Sequence, residues 1–113
     1  MLLEKAWAKV YGSYDNIHSG YNDEGLNAVS GAPSIFVSSQ ENEFLRRVEV
    51  ELRRGSIITC ATSSYVSQMS KQEQDKMGIF QNHAYSLMNI YSNISTPNGE
   101  ITLLRVRNPW GRK

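Results

Sequence analysis

The sequence predicts an α+β fold in which N-terminal helices are followed by an antiparallel sheet. In the first half of the chain, apolar residues recur at three- and four-residue steps, which is the period of an amphipathic helix. After Gly55 the pattern becomes β-branched and extended, and residues 96–99 (TPNG) are typical of a hairpin turn. We expect one domain, because 113 residues are too few for two.

Two helices are predicted in the first 31 residues. The first covers residues 2 to about 14 and is broken near Gly12. The second begins at Asn22 or Asp23, whose side chains are expected to cap its free N–H groups, and it ends at Gly31. The first helix must bury one face, since its apolar residues lie on one side.

A third helix is predicted from about Glu41 to Arg54, with Gly55 ending it. Ser38 and Glu41 have the spacing of a capping box at its start. Four charged residues on its exposed side are spaced for i,i+4 ion pairs, Glu43 with Arg47 and Glu49 with Arg53.

Three strand-like segments follow, over residues 56–62, 83–92 and 101–107. The polar stretch between the first two, residues 63–82, is predicted to be a long loop. His83 lies fifteen residues before Asn98 in the turn and Asn108 ten residues after it, so a bulge or longer loop on the earlier strand is needed to bring the two together.

Composition excludes several functional classes. Twelve Lys and Arg against eleven Asp and Glu leave a charge of +1, which gives no bulk attraction to nucleic acid or anionic membranes. A basic cluster near the C-terminus, Arg105, Arg107, Arg112 and Lys113, is interpreted as a solvated edge. Cys60 is the single cysteine, which excludes an internal disulfide and favours a reducing, cytoplasmic setting. No apolar run is long enough for a signal peptide or a membrane span.

The candidate chemistry lies at the open end of the hairpin. His18 is interpreted as a turn residue without a role, which leaves His83 as the candidate histidine. In cysteine proteases an imidazole takes the thiol proton, and an amide oxygen accepts its other N–H. His83 and Asn108 are the candidate pair, and the indole of Trp110 could shield their contact from water.

The sequence resembles the calpain family of intracellular cysteine proteases. The resemblance runs through nearly the whole chain in order: LLEKAWAKVYGSY at 2–14, NDEGLNAVSG at 22–31, RRGSIITCAT at 53–62, NHAYS at 82–86 and LLRVRNPWG at 103–111. It implies part of the second lobe of a papain-like core. It also implies that His83 and Asn108 are two members of a Cys/His/Asn triad and that Trp110 packs beside them.

Two departures from the family pattern bear on this interpretation. Asn82 stands where calpains generally have Gly, and Asn is among the few residues that tolerate a positive φ there. The Q-G-x-x-G-x-C-W segment that carries the calpain nucleophile does not occur in this sequence. Cys60 lies in a predicted strand and is interpreted as a buried structural cysteine.

The resulting hypothesis is that residues 1–113 form a partial calpain-type catalytic subdomain, a fragment that lacks the nucleophile lobe and is inactive alone. The complete protein is then expected to be an intracellular endopeptidase acting on protein substrates. Family resemblance implies calcium dependence, with no calcium ligand carried over to this chain. The alternative is a noncatalytic, calpain-derived binding or regulatory module.

Overall fold

The computed structural model describes residues 2–62 and 69–111, and it divides into two compact units, Met1–Phe36 and Val37–Lys113. Three α-helices precede the first strand of a three-stranded antiparallel sheet, which confirms the predicted α+β class.

The first unit is helical. Helix α1 spans Leu2–Tyr11, a short 3₁₀ turn covers Asp15–Ile17, and helix α2 spans Asn22–Ser30. Helix α1 ends at Tyr11, directly before the break predicted near Gly12, because Gly12 has a φ of 93°, which a right-handed helix does not contain. The helix does not resume over residues 12–14.

Helix α2 has the predicted extent. Gly31 ends it at a φ of 70°, and the Gly31 N–H donates to the carbonyl of Asn27 at 2.7 Å. The predicted cap at its start is wrong, since Tyr21 precedes the helix and no side chain caps it.

The second unit contains helix α3 (Phe44–Arg53), strand β1 (Ile58–Ala61), helix α4 (Lys71–Met77), strand β2 (Ala84–Thr96) and strand β3 (Gly99–Arg107). The strands lie in the order β1-β2-β3, and both neighbouring pairs are antiparallel. Helix α3 contacts β2, and the buried residues of these two elements are Val48, Tyr85 and Leu87.

Helix α3 begins later than the capping-box spacing predicted. Ser38 and Glu41 do interact, the Ser38 N–H donating to Oε1 of Glu41 at 3.0 Å, but they form a turn ahead of the helix. The Glu49–Arg53 ion pair is present, whereas the predicted Glu43–Arg47 pair is replaced by two others, Glu43–Arg46 and Glu41–Arg47.

The predicted long loop contains helix α4. Ser70 and Glu73 form a reciprocal capping box at its start, and Gly78 ends it with a φ of 69°. The polar composition concealed this helix, because a seven-residue helix with no buried residue shows no apolar period. Residues 63–68, at the start of the predicted loop, lie outside the described residues.

The β2–β3 hairpin contains the bulges that the spacing predicted. Thr96 pairs with Gly99 across the turn, and the register shifts twice farther from the turn, between Tyr91 and Ile94 and between Leu87 and Asn89. At each shift β2 has one residue more than β3, so Arg107 at the end of β3 pairs with Ser86.

Candidate active site

The segment that follows β3 folds into a turn centred on Pro109. The N–H of Gly111 donates to the carbonyl of Asn108 at 3.4 Å, and the N–H of Trp110 donates to Oδ1 of Asn108 at 3.0 Å. Asn at the first position, Pro at the second and Gly at the fourth are residue types that favour such a turn. The turn therefore fixes the Asn108 carboxamide at the end of the sheet.

The carboxamide of Asn108 meets the imidazole of His83. Nε2 of His83 lies 2.9 Å from Oδ1 of Asn108, across 25 residues of sequence. Because the backbone N–H of Trp110 can only donate, the atom that it contacts must be the oxygen of the Asn108 carboxamide. That oxygen can only accept, so Nε2 of His83 carries the proton in this contact.

This protonation leaves Nδ1 of a neutral His83 as a basic nitrogen with a free lone pair. Within residues 2–62 and 69–111, no hydrogen bond involves His83 Nδ1. The His83 side chain is half-buried, so its orientation is held while one edge of the ring is available. Such an imidazole can accept a proton from a thiol and later return it to a leaving amine.

The two bulges in β2 make this contact possible. Extending the register beyond the Ser86–Arg107 pair places Asn108 opposite Tyr85, two positions from His83. Diagonal neighbours at this separation are within reach of long side chains. Without the two additional residues Asn108 would stand opposite Leu87, four positions away, and about 13 Å of strand would separate it from His83.

Three aromatic rings surround the His83 imidazole. The Trp110 centroid lies 4.2 Å from it at a tilt of 43°, and the Tyr85 centroid lies 4.8 Å from it in an edge-to-face arrangement. The Phe80 ring is 6.1 Å from the imidazole and 4.6 Å from Trp110. Trp110 is still 56% exposed, so it covers the imidazole on one side and faces solvent on the other.

The Tyr85 hydroxyl hydrogen-bonds the loop that leads into His83. The Tyr85 hydroxyl accepts the N–H of Phe80 at 2.8 Å and donates to the carbonyl of Gly78 at 3.2 Å. Tyr85 is 4% exposed, and a buried hydroxyl with both partners present makes a strong tie between strand and loop. Asn82, directly before His83, has a φ of 47°, so the positive φ expected at this position is present.

Cys60 has the surroundings of a structural cysteine. It lies in β1 opposite Tyr85, and burial raises the pKa of its thiol. The thiolate is the nucleophilic form, so a raised pKa opposes that role. No hydrogen bond joins Cys60 to His83 within the residues that the structure describes.

Other features of the sequence bring no further group to this site. His18 is exposed at the end of the 3₁₀ turn in the first unit. Arg105 and Arg107 are exposed on β3, as expected for a solvated edge, and the remaining two basic residues, Arg112 and Lys113, lie outside the described residues. Over the described ranges, no three His, Cys, Asp or Glu side chains converge as metal ligands would.

Among the described helices, none has both the length and the apolar character that a bilayer crossing requires.

Sequence reasoning missed three residues of the site: Thr62, Phe80 and Tyr85. Tyr85 could have been found from the alternation of strand residues, which places positions 83 and 85 on one face. Phe80 and Thr62 gave no comparable signal, because their contacts with residues around His83 arise only from the folded loop.

A family model described as calpain family cysteine protease matches residues 1–113. The chain therefore belongs to the calpain family of cysteine proteases.

Individual relatives agree with this assignment. The chain is 33% identical to human calpain-9 over 98% of its own length and 16% of the relative's. It is 32% identical to calpain clp-4 of Caenorhabditis elegans, over 99% and 16% of the two chains. It is also 32% identical to calpain-B of Drosophila melanogaster, over 97% and 12%. The chain thus spans 12% to 16% of the length of these relatives. No solved structure matches the chain with significant similarity.

Proposed function

We propose that this chain supplies the histidine and the asparagine of a calpain-like cysteine endopeptidase, while the nucleophilic thiol comes from a separate lobe. The observation that carries the proposal is the hydrogen bond between His83 and Asn108, which leaves Nδ1 of His83 unprotonated and open. Family membership adds support, because calpain-type chemistry needs an oriented imidazole of this kind. Residues 1–113 are, on this proposal, a partial catalytic subdomain.

The proposed reaction begins with proton transfer from the thiol of the other lobe to Nδ1 of His83. The thiolate sulfur attacks the carbonyl carbon of a peptide bond in a protein substrate and forms an S–C bond. Nδ1 then returns its proton to the amine nitrogen as the C–N bond breaks. Water hydrolyses the resulting thioester by the same proton route, which regenerates the thiol.

Asn108 and Trp110 serve His83 in this mechanism. The Asn108 oxygen accepts the hydrogen bond from Nε2–H throughout, so it fixes which nitrogen is basic and stabilises the imidazolium that forms. The Trp110 ring covers the same imidazole and lowers the local dielectric, which strengthens the hydrogen bond to Asn108.

Several further elements of the proposal follow from family membership rather than from geometry. Calcium dependence is one; we assign no calcium ligand to this chain and derive no step from calcium, because no three His, Cys, Asp or Glu side chains cluster among the described residues. A reducing cytoplasmic setting is another, because the mechanism needs a free thiol. The chain alone is proposed to be inactive, since its single cysteine, Cys60, has a raised pKa and makes no hydrogen bond to His83 within the described residues.

The test uses the two histidines of the chain as a matched pair. The natural polypeptide that carries this sequence is purified, and cleavage of an unfolded protein substrate is measured for the wild type, His83→Ala and His18→Ala. Cleavage that is blocked by a thiol-alkylating reagent, lost in His83→Ala and retained in His18→Ala is the expected result.

Two outcomes contradict the proposal. Thiol-dependent cleavage that survives in a folded His83→Ala variant removes His83 from the mechanism. A natural polypeptide with a mass near 12.8 kDa and no cleavage supports the noncatalytic module instead.

A further inference from the structure

We propose that Thr62 is a positioning residue for His83: its hydroxyl holds the backbone of the loop so that the imidazole can reach Asn108 with Nδ1 open. This inference rests on the proposed function only for its kinetic consequence. The structural part concerns the hydrogen bonds at one oxygen atom, which can be tested in the chain itself.

The contacts begin where β1 ends. The N–H of Thr62 donates to the carbonyl of His83 at 3.0 Å, which continues the β1–β2 register by one pair beyond Ala61 and Ala84. In a regular antiparallel pair the N–H of His83 would donate back to the carbonyl of Thr62. Here it donates to the Thr62 side chain instead, with 3.2 Å between the His83 nitrogen and Oγ1.

The same hydroxyl also donates. Oγ1 of Thr62 hydrogen-bonds the carbonyl of Phe80, and it lies 3.3 Å from the carbonyl of His83 as a second acceptor. One oxygen of Thr62, at the end of β1, therefore hydrogen-bonds both ends of the four-residue segment from Phe80 to His83. A hydroxyl is required for this, because it accepts from an N–H and donates to a C=O at the same time.

These hydrogen bonds of Thr62 determine the contacts of the His83 imidazole. Phe80, whose carbonyl is held by Thr62, places its ring against Trp110, and Trp110 lies against the imidazole. His83, whose N–H is held by the same oxygen, directs Nε2 to Asn108. The segment between them includes Asn82 at a positive φ, a conformation that needs support from its surroundings.

Loss of the Thr62 hydroxyl is therefore expected to release the imidazole rather than to unfold the sheet. The His83 N–H and the Phe80 carbonyl would lose their partner, and the loop would relax to recover other hydrogen bonds. Nε2 would then no longer be held at Asn108, and the neutral ring would populate both tautomers.

The experiment measures the imidazole ¹⁵N shifts of the full 113-residue chain by NMR. The chain has two histidines, so His18→Gln assigns the His83 signals. Wild type is expected to give the separated shifts of an Nε2–H tautomer. Thr62→Val, which keeps the shape and removes the hydroxyl, is expected to give averaged shifts, and Thr62→Ser is expected to restore the separation.

Thr59→Val is the matched control, because Thr59 lies on β1, three residues before Thr62, and its side chain makes no hydrogen bond among the described residues. Wild-type shifts in a folded Thr62→Val chain overturn the proposal, as do averaged shifts in a folded Thr62→Ser chain. If Thr62→Val does not fold, Thr62→Ala replaces it as the variant without a hydroxyl. Averaged shifts in a folded Thr62→Ser chain overturn the proposal in either case.

A kinetic readout separates this proposal from the proposed function. In the natural polypeptide, Thr62→Val is expected to lower kcat by roughly 10- to 100-fold with little change in KM, since the reacting group is misplaced but substrate contacts remain. If His83→Ala leaves proteolysis intact, the proposed function fails, whereas the NMR result for Thr62 stands or falls independently.

Discussion

His83 and Trp110 donate hydrogen bonds to the same atom, Oδ1 of Asn108, at 2.9 Å and 3.0 Å. The Trp110 donor is a backbone N–H, so the turn itself determines which end of the Asn108 side chain faces His83. Because the oxygen of Asn108 faces His83, Nε2 of the imidazole must carry the proton and Nδ1 must be the base. A turn of four residues thus sets the protonation pattern of a histidine 25 positions earlier in the chain.

Replacement of Asn108 tests this chain of contacts. Asn108→Ala removes the shared acceptor, so the His83 ring is expected to lose its fixed tautomer and kcat of the natural polypeptide to fall by about 100-fold. Imidazole ¹⁵N shifts and steady-state kinetics measure the two effects. Asn42→Ala is the control, because Asn42 is exposed and its side chain makes no hydrogen bond among the described residues. Unchanged kinetics in a folded Asn108→Ala protein would remove the proposed role.

The Trp110 ring can be separated from its backbone donor. Trp110→Ala and Trp110→Phe both keep the N–H that orients Asn108 and change only the cover over His83. We expect faster exchange of the His83 Nε2 proton with water and a lower kcat in Trp110→Ala, with Trp110→Phe close to wild type. Trp7→Phe, in the other unit, controls for loss of an indole. Equal proton exchange in Trp110→Ala and wild type would contradict a shielding role.

The bulge at Asn93 is expected to determine whether the site forms. Asn93 lies in the register shift between Tyr91 and Ile94 and has a φ of 58°. Deleting it moves His83 by one register position, which directs the side chain to the other face of the sheet, so the bond to Asn108 should be lost. Asn93→Gly keeps the bulge, since glycine adopts positive φ without strain, and should preserve the bond. NMR of the His83 ring measures both, and a preserved bond in the deletion variant would refute the register argument.

Helix α4 carries a pH-dependent contribution to stability. The pKa of Glu73 is lowered from its usual 4.5, first by the backbone N–H of Ser70 and second by the Ser70 hydroxyl, which both donate to its carboxylate. A lowered folded-state pKa stabilises the fold above the usual value, and this stabilisation is lost as pH falls through the folded-state pKa. Glu73→Gln should therefore be less stable than wild type at pH 7, and the difference should shrink toward acid pH.

Urea unfolding from pH 7 to pH 3 measures this difference. Ser70→Ala removes the other half of the capping box and is expected to cost about 1 kcal/mol at neutral pH. Gln72→Ala, whose side chain makes no hydrogen bond among the described residues, is the control for substitution on α4. A pH-independent difference for Glu73→Gln would show that the carboxylate does not act through its charge.

The sequence by itself determined the local elements of this protein. The helical period of the first half, Gly31 as a helix end, the hairpin turn at Pro97 and Asn98, and the α+β class all depend on neighbouring residues, and the structure confirms them. The order of motifs was also sufficient to identify the calpain family, which the comparison confirmed. Helix α4 was missed because it has no apolar period to reveal it.

Only the tertiary structure decided how the site is assembled. The spacing of His83 and Asn108 required a bulge, but the number of bulges and their positions depend on strand pairing. The tautomer of His83 follows from a contact between two side chains 25 residues apart, and Phe80 and Thr62 join the site through a folded loop. Sequence periodicity reports which face a residue occupies, whereas hydrogen bonds of 3 Å depend on register, which is fixed only when the strands pair.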